Sequence, residues 1–239
     1  MIILFLMAGK GSRFKEKGYQ LPKSLIDVQG KPMVAWAASS LAQIKPSNII
    51  FACLKEHEQF GISTILGKLF GKNIHILWAD KVTDGAASTA LLAKDIINCD
   101  EELIISNTDQ FFASPAFNEE IHKKKKHFSG LIPIFEATHP RWSFAKVNVD
   151  NLVIEVAEKV PISNTATVGV YYFKKGSDFV WACEQMMRKD IRRNNEFFIC
   201  PTYNELIARG DKIKAVPVDF MWSLGTPEDV EYFNKYYKG

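Results

Sequence analysis

The first half of the chain alternates between short apolar runs and segments in which apolar residues recur at helical spacing. Short, continuous apolar runs are typical of strands that are buried on both faces of a parallel sheet. The predicted strands are 2–6, 48–54, 74–78 and 102–106, and the predicted helices are 32–44, 57–70 and 86–98. This regular alternation indicates parallel β-α-β units with right-handed crossovers.

The second half carries a different pattern, in which strands dominate. Alternating apolar and polar runs on either side of Asp150 and Asn151 predict a hairpin. The other predicted elements are strands at 131–135, 167–173 and 214–220 and helices at 178–188 and 227–237. The pattern contains no repeat and no linker. We therefore expect one α/β domain over residues 1–239, with a Rossmann-like, mixed and mostly parallel sheet that has helices on both faces.

Composition and charge exclude several classes of protein. The chain has 239 residues, and its net charge of +3 gives no indication of a nucleic-acid partner. The basic run at 122–127 lacks interleaved aromatic residues, so we interpret it as a solvated helix end. The four cysteines form no CxxC pair, which favours reduced thiols. The apolar runs are too short for a signal peptide or a membrane span, so we expect a cytoplasmic protein with no membrane partner.

A basic, glycine-containing segment, MAGKGSRF, follows the first predicted strand. Gly9 and Gly11 let the backbone approach an anion closely, and Arg13 supplies a positive charge. Lys23 follows Pro22, whose ring restrains the backbone that carries the lysine side chain. The segment matches neither GxGxxG nor the P-loop. From these residues alone, an anion-binding loop at the carboxyl edge of the sheet and a simple tight turn both stay open.

Several segments resemble, in the same order, the nucleotidyltransferases that make nucleotide-diphospho-sugars and related activated head groups. GKGSRF followed by PKSLIDVQGKPM resembles the family's Gly-x-Gly-[Ser/Thr]-Arg, Pro-Lys and Gly-Lys-Pro signature. The other similar segments are DGAAST at 84–89, NTDQ at 107–110, EK at 158–159, VGVYYF at 168–173, NNEFF at 194–198 and LGTPED at 224–229. The resemblance implies the nucleotide-diphospho-sugar transferase fold, with an NTP-binding half over about 1–115 and an acceptor-binding half over about 116–239.

The resemblance also implies an activity and a set of site residues. It implies transfer of a nucleoside monophosphate from an NTP to a phosphorylated acceptor, such as a sugar 1-phosphate, for surface polysaccharide precursors. Mg²⁺ is the implied cofactor, with Asp109 as its ligand. The implied roles are catalytic for Arg13 and Lys23, nucleotide-binding for Met7, Ala8, Gly9, Gly11, Ser12, Asp84, Gly85, Ala86 and Thr108, and acceptor-binding for Glu158, Lys159, Gly169 and Glu196.

The chain departs from the family's pattern at the second metal ligand. The sugar enzymes usually carry an aspartate just before the Gly-Thr turn, and here Ser223 stands at that position. Asp219 is an alternative ligand, but it lies four residues earlier, on the order of 13 Å away along a strand. Water or nucleotide phosphate can also complete a magnesium site, because Mg²⁺ often uses few protein groups.

Other functions remain open alternatives. A glycosyltransferase of similar fold would use a finished nucleotide-sugar, whereas its usual Asp-x-Asp is replaced here by Asn107-Thr108-Asp109. A non-enzymatic nucleotide-binding subunit would bind NTP without using an acceptor. The base, the acceptor and the oligomeric state are also open. A cytidylyltransferase for a non-sugar phosphate is one alternative, and a homodimer is another.

Overall fold

A computed structural model describes residues 1–123 and 127–239 of the chain. The strands of the first half are β1 (Ile2–Met7), β2 (Asp27–Val28), β3 (Lys31–Pro32), β4 (Asn48–Leu54), β5 (Ile74–Ala79), β6 (Leu103–Ser106) and β7 (Gln110–Ala113). Those of the second half are β8 (Gly130–Glu136), β9 (Ser143–Val147), β10 (Val153–Glu158), β11 (Thr165–Thr167), β12 (Val170–Phe173), β13 (Ile213–Pro217) and β14 (Phe220–Ser223).

Helices connect and flank these strands. The α-helices are α1 (Ser12–Glu16), α2 (Met33–Ser39), α3 (Ile62–Phe70), α4 (Ala86–Ala90), α5 (Lys94–Ile97), α6 (Pro115–His122), α7 (Gly176–Arg188), α8 (Thr202–Ala208) and α9 (Pro227–Tyr236). Short 3₁₀ helices occupy Lys23–Leu25, Lys55–Phe60 and Leu91–Ala93. No helix in residues 1–123 or 127–239 combines the length and the apolar character that crossing a membrane requires.

The main sheet has the order β10-β9-β11-β8-β12-β6-β1-β4-β5, and β13 pairs with β8. β1 pairs in parallel with β4 and β6, and β4 pairs in parallel with β5. Antiparallel strands extend this parallel part from β12 outward, and the parallel pair of β8 and β13 lies within the extension. The predicted α/β fold with a mixed sheet is therefore confirmed.

Two apolar layers cover the two faces of the sheet. Ile2 and Leu4 point into a core that also contains residues of α4, α5, α7 and α8. Ile3 and Phe5 point into a second core with residues of α2, α3 and α6. Alternate residues of β1 are thus buried on opposite faces, which explains why the strand is continuously apolar.

A smaller apolar cluster fixes the chain around the carboxyl end of β1. Phe14 of α1, Met33 and Trp36 of α2, Leu224 after β14 and Phe233 of α9 pack together in this cluster. The carboxyl-terminal turn and helix are therefore packed against the segment that follows the glycine loop. This packing brings two ends of the sequence to one edge of the sheet.

Several predicted elements differ in detail from the structure. The predicted helix at 57–70 is divided into a 3₁₀ helix and α3, because Gly61 between them has a φ of 71°. The predicted helix at 32–44 ends at Ser39 and continues as turns. The predicted helix at 86–98 is α4, a 3₁₀ turn and α5, and the predicted strand at 214–220 is divided between β13 and β14.

The elements that were not predicted include α1, β2, β3, β7 and α8. β7 pairs with β14 in a separate two-stranded ribbon. Its short sequence does not form the continuous apolar run that predicted the strands of the main sheet. The predicted solvated helix end at 122–127 includes residues 124–126, which lie outside the described residues, and α6 ends at His122.

Candidate active site

A cavity of about 450 Å³ opens at the carboxyl ends of β1 and β6, where open α/β sheets usually bind ligands. Its lining includes most of the residues that the motifs predicted for the nucleotide and for catalysis. The predicted residues that line it are Met7, Ala8, Gly9, Gly11, Ser12, Arg13, Lys23, Gly85, Ala86, Thr108, Asp109 and Glu196. The structure therefore brings together segments that are up to about two hundred residues apart in the chain.

Asp84 is the predicted nucleotide-binding residue that does not line this cavity. Its carboxylate is exposed, and the Asp84 carbonyl accepts a hydrogen bond of 2.7 Å from the amide of Phe197. The Phe197 carbonyl in turn accepts one of 2.9 Å from the amide of Ala87. The segment at 84–87 is thus paired with the segment at 196–198, although their motifs implied separate nucleotide and acceptor roles.

Gly85 is required for this close pairing. Its φ of 114° is unfavourable for other residues, and a Cβ at this position would lie 2.4 Å from the Phe197 carbonyl oxygen. Gly9, by contrast, has no atom within 4 Å of the place where a Cβ would stand. The two glycines therefore differ: one permits a backbone contact within the protein, and the other leaves the cavity wall open.

We expect Gly85→Ala to lower the free energy of unfolding by about 1–3 kcal/mol, because it combines a clash with an unfavourable backbone angle. Gly9→Ala is the matched control, and we expect it to leave stability nearly unchanged. Urea denaturation of the two variants measures the difference. Equal stability of both variants would show that the segment at 84–87 can move away from Phe197 without cost.

Lys23 and Asp109 form an ion pair within the cavity. Lys23 Nζ donates to Asp109 Oδ2 over 2.5 Å, and the side chains are 24% and 30% exposed. The neighbouring residues Ser24 and Thr108 share a hydrogen bond of 2.9 Å. The segment after Pro22 is therefore fixed to the end of β6 by two contacts. Among the described residues, Arg13 is exposed and has no ion-pair partner, so its guanidinium is available to an anion.

A second cavity of about 210 Å³ adjoins the first. Residues from both ends of the sequence line the two cavities together. The shared residues are Arg13, Ala86, Asn107, Asp109, Phe198 and Gly225. Two small-molecule sites separated by one wall suit a reaction that joins two ligands.

The predicted acceptor residues are divided between the two cavities. Glu158 and Gly169 line the second cavity, whereas Glu196 lines the first. Lys159 lines neither, and its Nζ lies 4.5 Å from the centre of the Phe198 ring. Several other residues that line the second cavity were not among the predicted site residues, and these include Arg141, Trp142, Ser143, Tyr171 and Asp229. Tyr171 and Asp229 stand within the similar segments at 168–173 and 224–229, which implied no individual role for them, and the other three lie outside every such segment.

Glu158 is a buried carboxyl group in the second cavity. It is 8% exposed, and Ser143 Oγ donates a hydrogen bond to Glu158 Oε2. Lys159 and Arg193 act on the carboxyl group and lower its pKa, but neither forms an ion pair with it among the described residues. Burial raises the pKa of Glu158 above its usual range, while the hydrogen bond from Ser143 opposes that shift. A buried carboxyl group without a paired cation is suited to contact with a polar ligand.

We expect Glu158→Gln to stabilise the protein at neutral pH. A raised pKa means that the folded state holds a proton that the unfolded state has already lost, so stability falls as pH rises through this range. Glutamine does not ionise, so the variant lacks this loss of stability at neutral pH. Its gain in stability over the wild type should disappear below the pKa of an unfolded glutamate. Thermal denaturation at acidic and neutral pH measures this. An equal effect at both pH values would exclude titration of Glu158 as its cause.

The turn that follows β14 brings three oxygen-bearing side chains around Gly225. A Cβ at Gly225 would lie 3.3 Å from Asp109 Oδ2, 3.5 Å from Ser223 Oγ and 3.7 Å from Asp229 Oδ2. Ser223 Oγ donates to Asp229 Oδ2 over 2.8 Å, and the Leu224 amide donates to the Asp109 carbonyl over 2.7 Å. The structure therefore places Ser223 close to Asp109.

Asp219 is not brought into this group. The Asp219 amide donates to the Ala113 carbonyl at one end of the β7–β14 ribbon. The pair of Ser223 and Gln110 lies at the other end of that ribbon. Within the described residues, no cluster of three or more histidine, cysteine or acidic side chains has a metal-binding arrangement. Of the two carboxylates near Gly225, Asp109 lines both cavities and Asp229 lines the second.

Comparisons with known proteins agree with this arrangement. A family model described as "Nucleotidyl transferase" matches residues 2–238. The chain is 26% identical over 242 residues to the bifunctional protein GlmU of Methanocaldococcus jannaschii, and the match covers 99% of this chain and 54% of that protein. It is 24% identical over 233 residues to the low-salt glycan biosynthesis nucleotidyltransferase Agl11 of Haloferax volcanii, with 95% and 63% covered. The chain thus spans between about half and two-thirds of the length of these curated relatives.

A solved structure is similar over the whole chain. The nucleoside-diphosphate-sugar pyrophosphorylase from Vibrio cholerae superposes with a TM-score of 0.83 and 26% sequence identity. The match covers 98% of this chain and 100% of that one.

Proposed function

The chain belongs to the nucleotidyl transferase family, as its motifs predicted, and on that premise we propose that it transfers a nucleoside monophosphate from an NTP to a phosphorylated acceptor. The products are the NDP-acceptor and pyrophosphate. The observation that carries the proposal is the pair of adjoining cavities, whose common wall contains Arg13 and Asp109. The larger cavity suits the NTP, and the smaller one suits the acceptor.

The reaction needs positive charge more than it needs a general base. The nucleophile is a phosphate oxygen whose second pKa is near ~6, so it is largely ionised at neutral pH. Two anions must meet, and negative charge develops on the departing pyrophosphate. Cations at fixed positions lower this barrier because they are already oriented when the charge develops.

Arg13 and Lys23 supply that charge in the proposed reaction. Arg13 lines both cavities and is unpaired among the described residues, and its fork of N–H groups suits the β- and γ-phosphates. Lys23 holds Asp109 in the structure, and it turns to the α-phosphate when the substrates are bound. The backbone of Ala8, Gly9 and Gly11 contacts the triphosphate, where the loop lines the cavity.

Mg²⁺ fits the residues that are present, and Asp109 is its proposed ligand. The Asp109 carboxylate is a hard oxygen donor of the kind that Mg²⁺ prefers, and it lies in the wall between the cavities. When bound, the ion would neutralise charge on the transferring phosphate and on pyrophosphate. Lys23 contacts the same carboxylate, so its ammonium would lie beside the ion, where it can also contact phosphate.

The acceptor is proposed to be a sugar 1-phosphate or a similar phosphate ester for surface polysaccharide precursors, handled in the cytoplasm. The relatives support this class, since one is named for glycan biosynthesis and another is a nucleoside-diphosphate-sugar pyrophosphorylase. Glu158 lines the second cavity, where it would contact the polar groups of the acceptor. Because Ser223 stands where the sugar enzymes usually carry an aspartate, a non-sugar phosphate is the alternative acceptor.

A substrate screen tests the proposal. The protein is incubated with each of four NTPs and a panel of phosphorylated acceptors, including sugar 1-phosphates and phosphorylated amino alcohols, and pyrophosphate release is measured. We expect release that depends on one NTP and on one class of acceptor. Binding of an NTP with no acceptor-dependent release across a broad panel would contradict the proposal.

A further inference from the structure

We propose that the carboxamide of Asn107 hydrogen-bonds a hydroxyl of the acceptor beside its phosphate ester, so that Asn107 selects the acceptor, and that Gly169 leaves the space this side chain occupies. This inference rests on the proposed function of the second cavity. The motif resemblance implied no role for Asn107, and it implied that Gly169 contacts the acceptor itself.

The backbone of Asn107 is fixed at both of its polar groups. Its amide donates to the Gly169 carbonyl over 3.0 Å, and its carbonyl accepts hydrogen bonds from Ser106 Oγ over 2.7 Å and from Gln110 Nε2 over 2.8 Å. Gln110 is 1% exposed, and its Oε1 accepts a hydrogen bond of 3.2 Å from the Asp109 amide. One buried glutamine therefore holds Asn107 and Asp109 in a constant relation to each other.

The side chain of Asn107, by contrast, is not engaged by the protein. It is half-buried and lines both cavities, and no hydrogen bond involves its carboxamide within the described part of the chain. Other polar side chains of the second cavity have partners in the protein: Ser143 Oγ donates to Glu158, and the hydroxyls of Thr167 and Tyr171 share a hydrogen bond of 3.0 Å. A polar group that is fixed in position but unpaired at a cavity wall is suited to contact with a ligand.

Gly169 determines where that carboxamide can lie. Its φ of 83° disfavours other residues, and a Cβ at this position would stand 2.8 Å from Asn107 Nδ2 and 3.5 Å from Asn107 Cγ. The first of these distances is too short for atoms that are not bonded to each other. Gly169 lines the second cavity and not the first, so the Nδ2 end of Asn107 lies on the acceptor side of the shared wall. The glycine therefore keeps the space that the Asn107 carboxamide needs.

A carboxamide is complementary to a hydroxyl group. It offers two N–H donors and a carbonyl acceptor, and a hydroxyl can both donate and accept. A quaternary ammonium, as in a choline-like acceptor, offers neither an N–H donor nor a lone pair. A site built to hydrogen-bond a hydroxyl rejects an analogue that lacks it, because the polar group of the site is then left unpaired. Asn107 therefore discriminates between acceptors by this hydroxyl.

The position of Asn107 indicates which hydroxyl it contacts. The acceptor phosphate has to meet the α-phosphate at the wall that the two cavities share, and Asn107 and Asp109 both belong to that wall. The first hydroxyl beyond the phosphate stands on the carbon next to the one that bears the ester. In a sugar 1-phosphate, this is the hydroxyl on carbon 2.

The test compares sugar 1-phosphates that differ only at this hydroxyl. The pairs are glucose 1-phosphate with 2-deoxyglucose 1-phosphate and galactose 1-phosphate with 2-deoxygalactose 1-phosphate, and mannose 1-phosphate presents the opposite configuration. Pyrophosphate release with the NTP selected by the screen gives kcat/KM for each acceptor. We expect the wild type to favour the hydroxylated member of its preferred pair by about 10-fold or more, and Asn107→Ala to reduce this ratio of kcat/KM values to less than about threefold. Asn234→Ala, on the exposed surface of α9, is the matched control and should keep the ratio.

Gly169→Ala tests the same contact from the other side. The added methyl group should displace the Asn107 carboxamide and lower the ratio in the same way, and it should not lower the ratio further in the Asn107→Ala background. Gly210→Ala is the matched control, because Gly210 has a φ of 96° and no atom within 4 Å of the place where a Cβ would stand. This control introduces the backbone strain without the contact to Asn107, so its ratio should equal that of the wild type.

The outcomes separate the inference from the proposed function. A merely structural role of Asn107 would lower kcat/KM for both members of a pair equally, so an unchanged ratio in folded Asn107→Ala would overturn the inference. If Asn107→Ala does not fold, an unchanged ratio in Gly169→Ala would overturn it. Equal use of both members by the wild type, or release with phosphorylated amino alcohols and with none of the sugar phosphates, would also overturn it and leave nucleotidyl transfer intact. No release with any NTP and any acceptor would contradict the proposed function and the inference with it.

Discussion

Replacing Lys23 with methionine is expected to lower turnover by about 10²–10³-fold without unfolding the protein. One oriented charge at a transition state commonly contributes this much to the rate. Methionine has a similar length and no charge, and Lys23 is only partly buried, so packing should change little. Lys15→Met removes a charge from the neighbouring exposed surface and should leave turnover within about twofold.

A second readout of the Lys23 variant concerns Asp109. In the structure, Lys23 Nζ contacts the carboxylate that is proposed to hold the metal. Removing the lysine frees that carboxylate, so calorimetric binding of Mg²⁺ to the NTP-free protein should become tighter even as turnover falls. Near-normal pyrophosphate release by Lys23→Met would exclude Lys23 from catalysis.

Asp109→Asn should abolish nearly all metal-dependent turnover, by about 10³-fold or more. The substitution keeps the shape of the side chain but removes the carboxylate charge that attracts a divalent cation. Asp219→Asn is the matched control, since Asp219 is an exposed aspartate at the opposite end of β14. We expect it to leave turnover nearly unchanged.

Activity titrated with Mg²⁺ in both variants measures this difference. Wild-type activity in Asp109→Asn would show that the residues at 107–110 form only a strand-end turn, and it would undercut the enzymatic proposal. A large loss of activity in Asp219→Asn, with folding intact, would indicate that Asp219 is a metal ligand, although the structure does not place it near Asp109.

Much of the fold followed from the apolar pattern because the strands of the parallel part are buried on both faces. The predicted strand at 48–54 coincides with β4, which pairs with β1 on one side and β5 on the other. Such strands are continuously apolar, and this local signal does not depend on distant residues. The glycine loop directly follows β1 and the segment with Asp109 directly follows β6, so the pattern placed both at strand ends, whereas their roles came from the family resemblance.

The second cavity was harder to predict because its contacts join residues that are far apart in sequence. Arg141 and Asp229 are 88 residues apart, and the segment at 224–229 that contains Asp229 gives no indication that Arg141 is its partner. The pairing of Gly85 with Phe197 likewise joins two motifs whose implied roles were separate. The short strand β7 is recognisable only through its partner β14. Long-range packing, rather than local preference, determines these features.

The fate of the α-phosphate tests the central claim of nucleotidyl transfer most directly. The NTP selected by the screen is labelled with ³²P at the α-position in one reaction and at the γ-position in another, and the products are separated after incubation with the acceptor. Nucleotidyl transfer predicts the α-label in a new NDP-acceptor and the γ-label in pyrophosphate, with both products absent when acceptor is omitted. An α-label that remains in free nucleotide while the acceptor is unmodified would contradict the proposal.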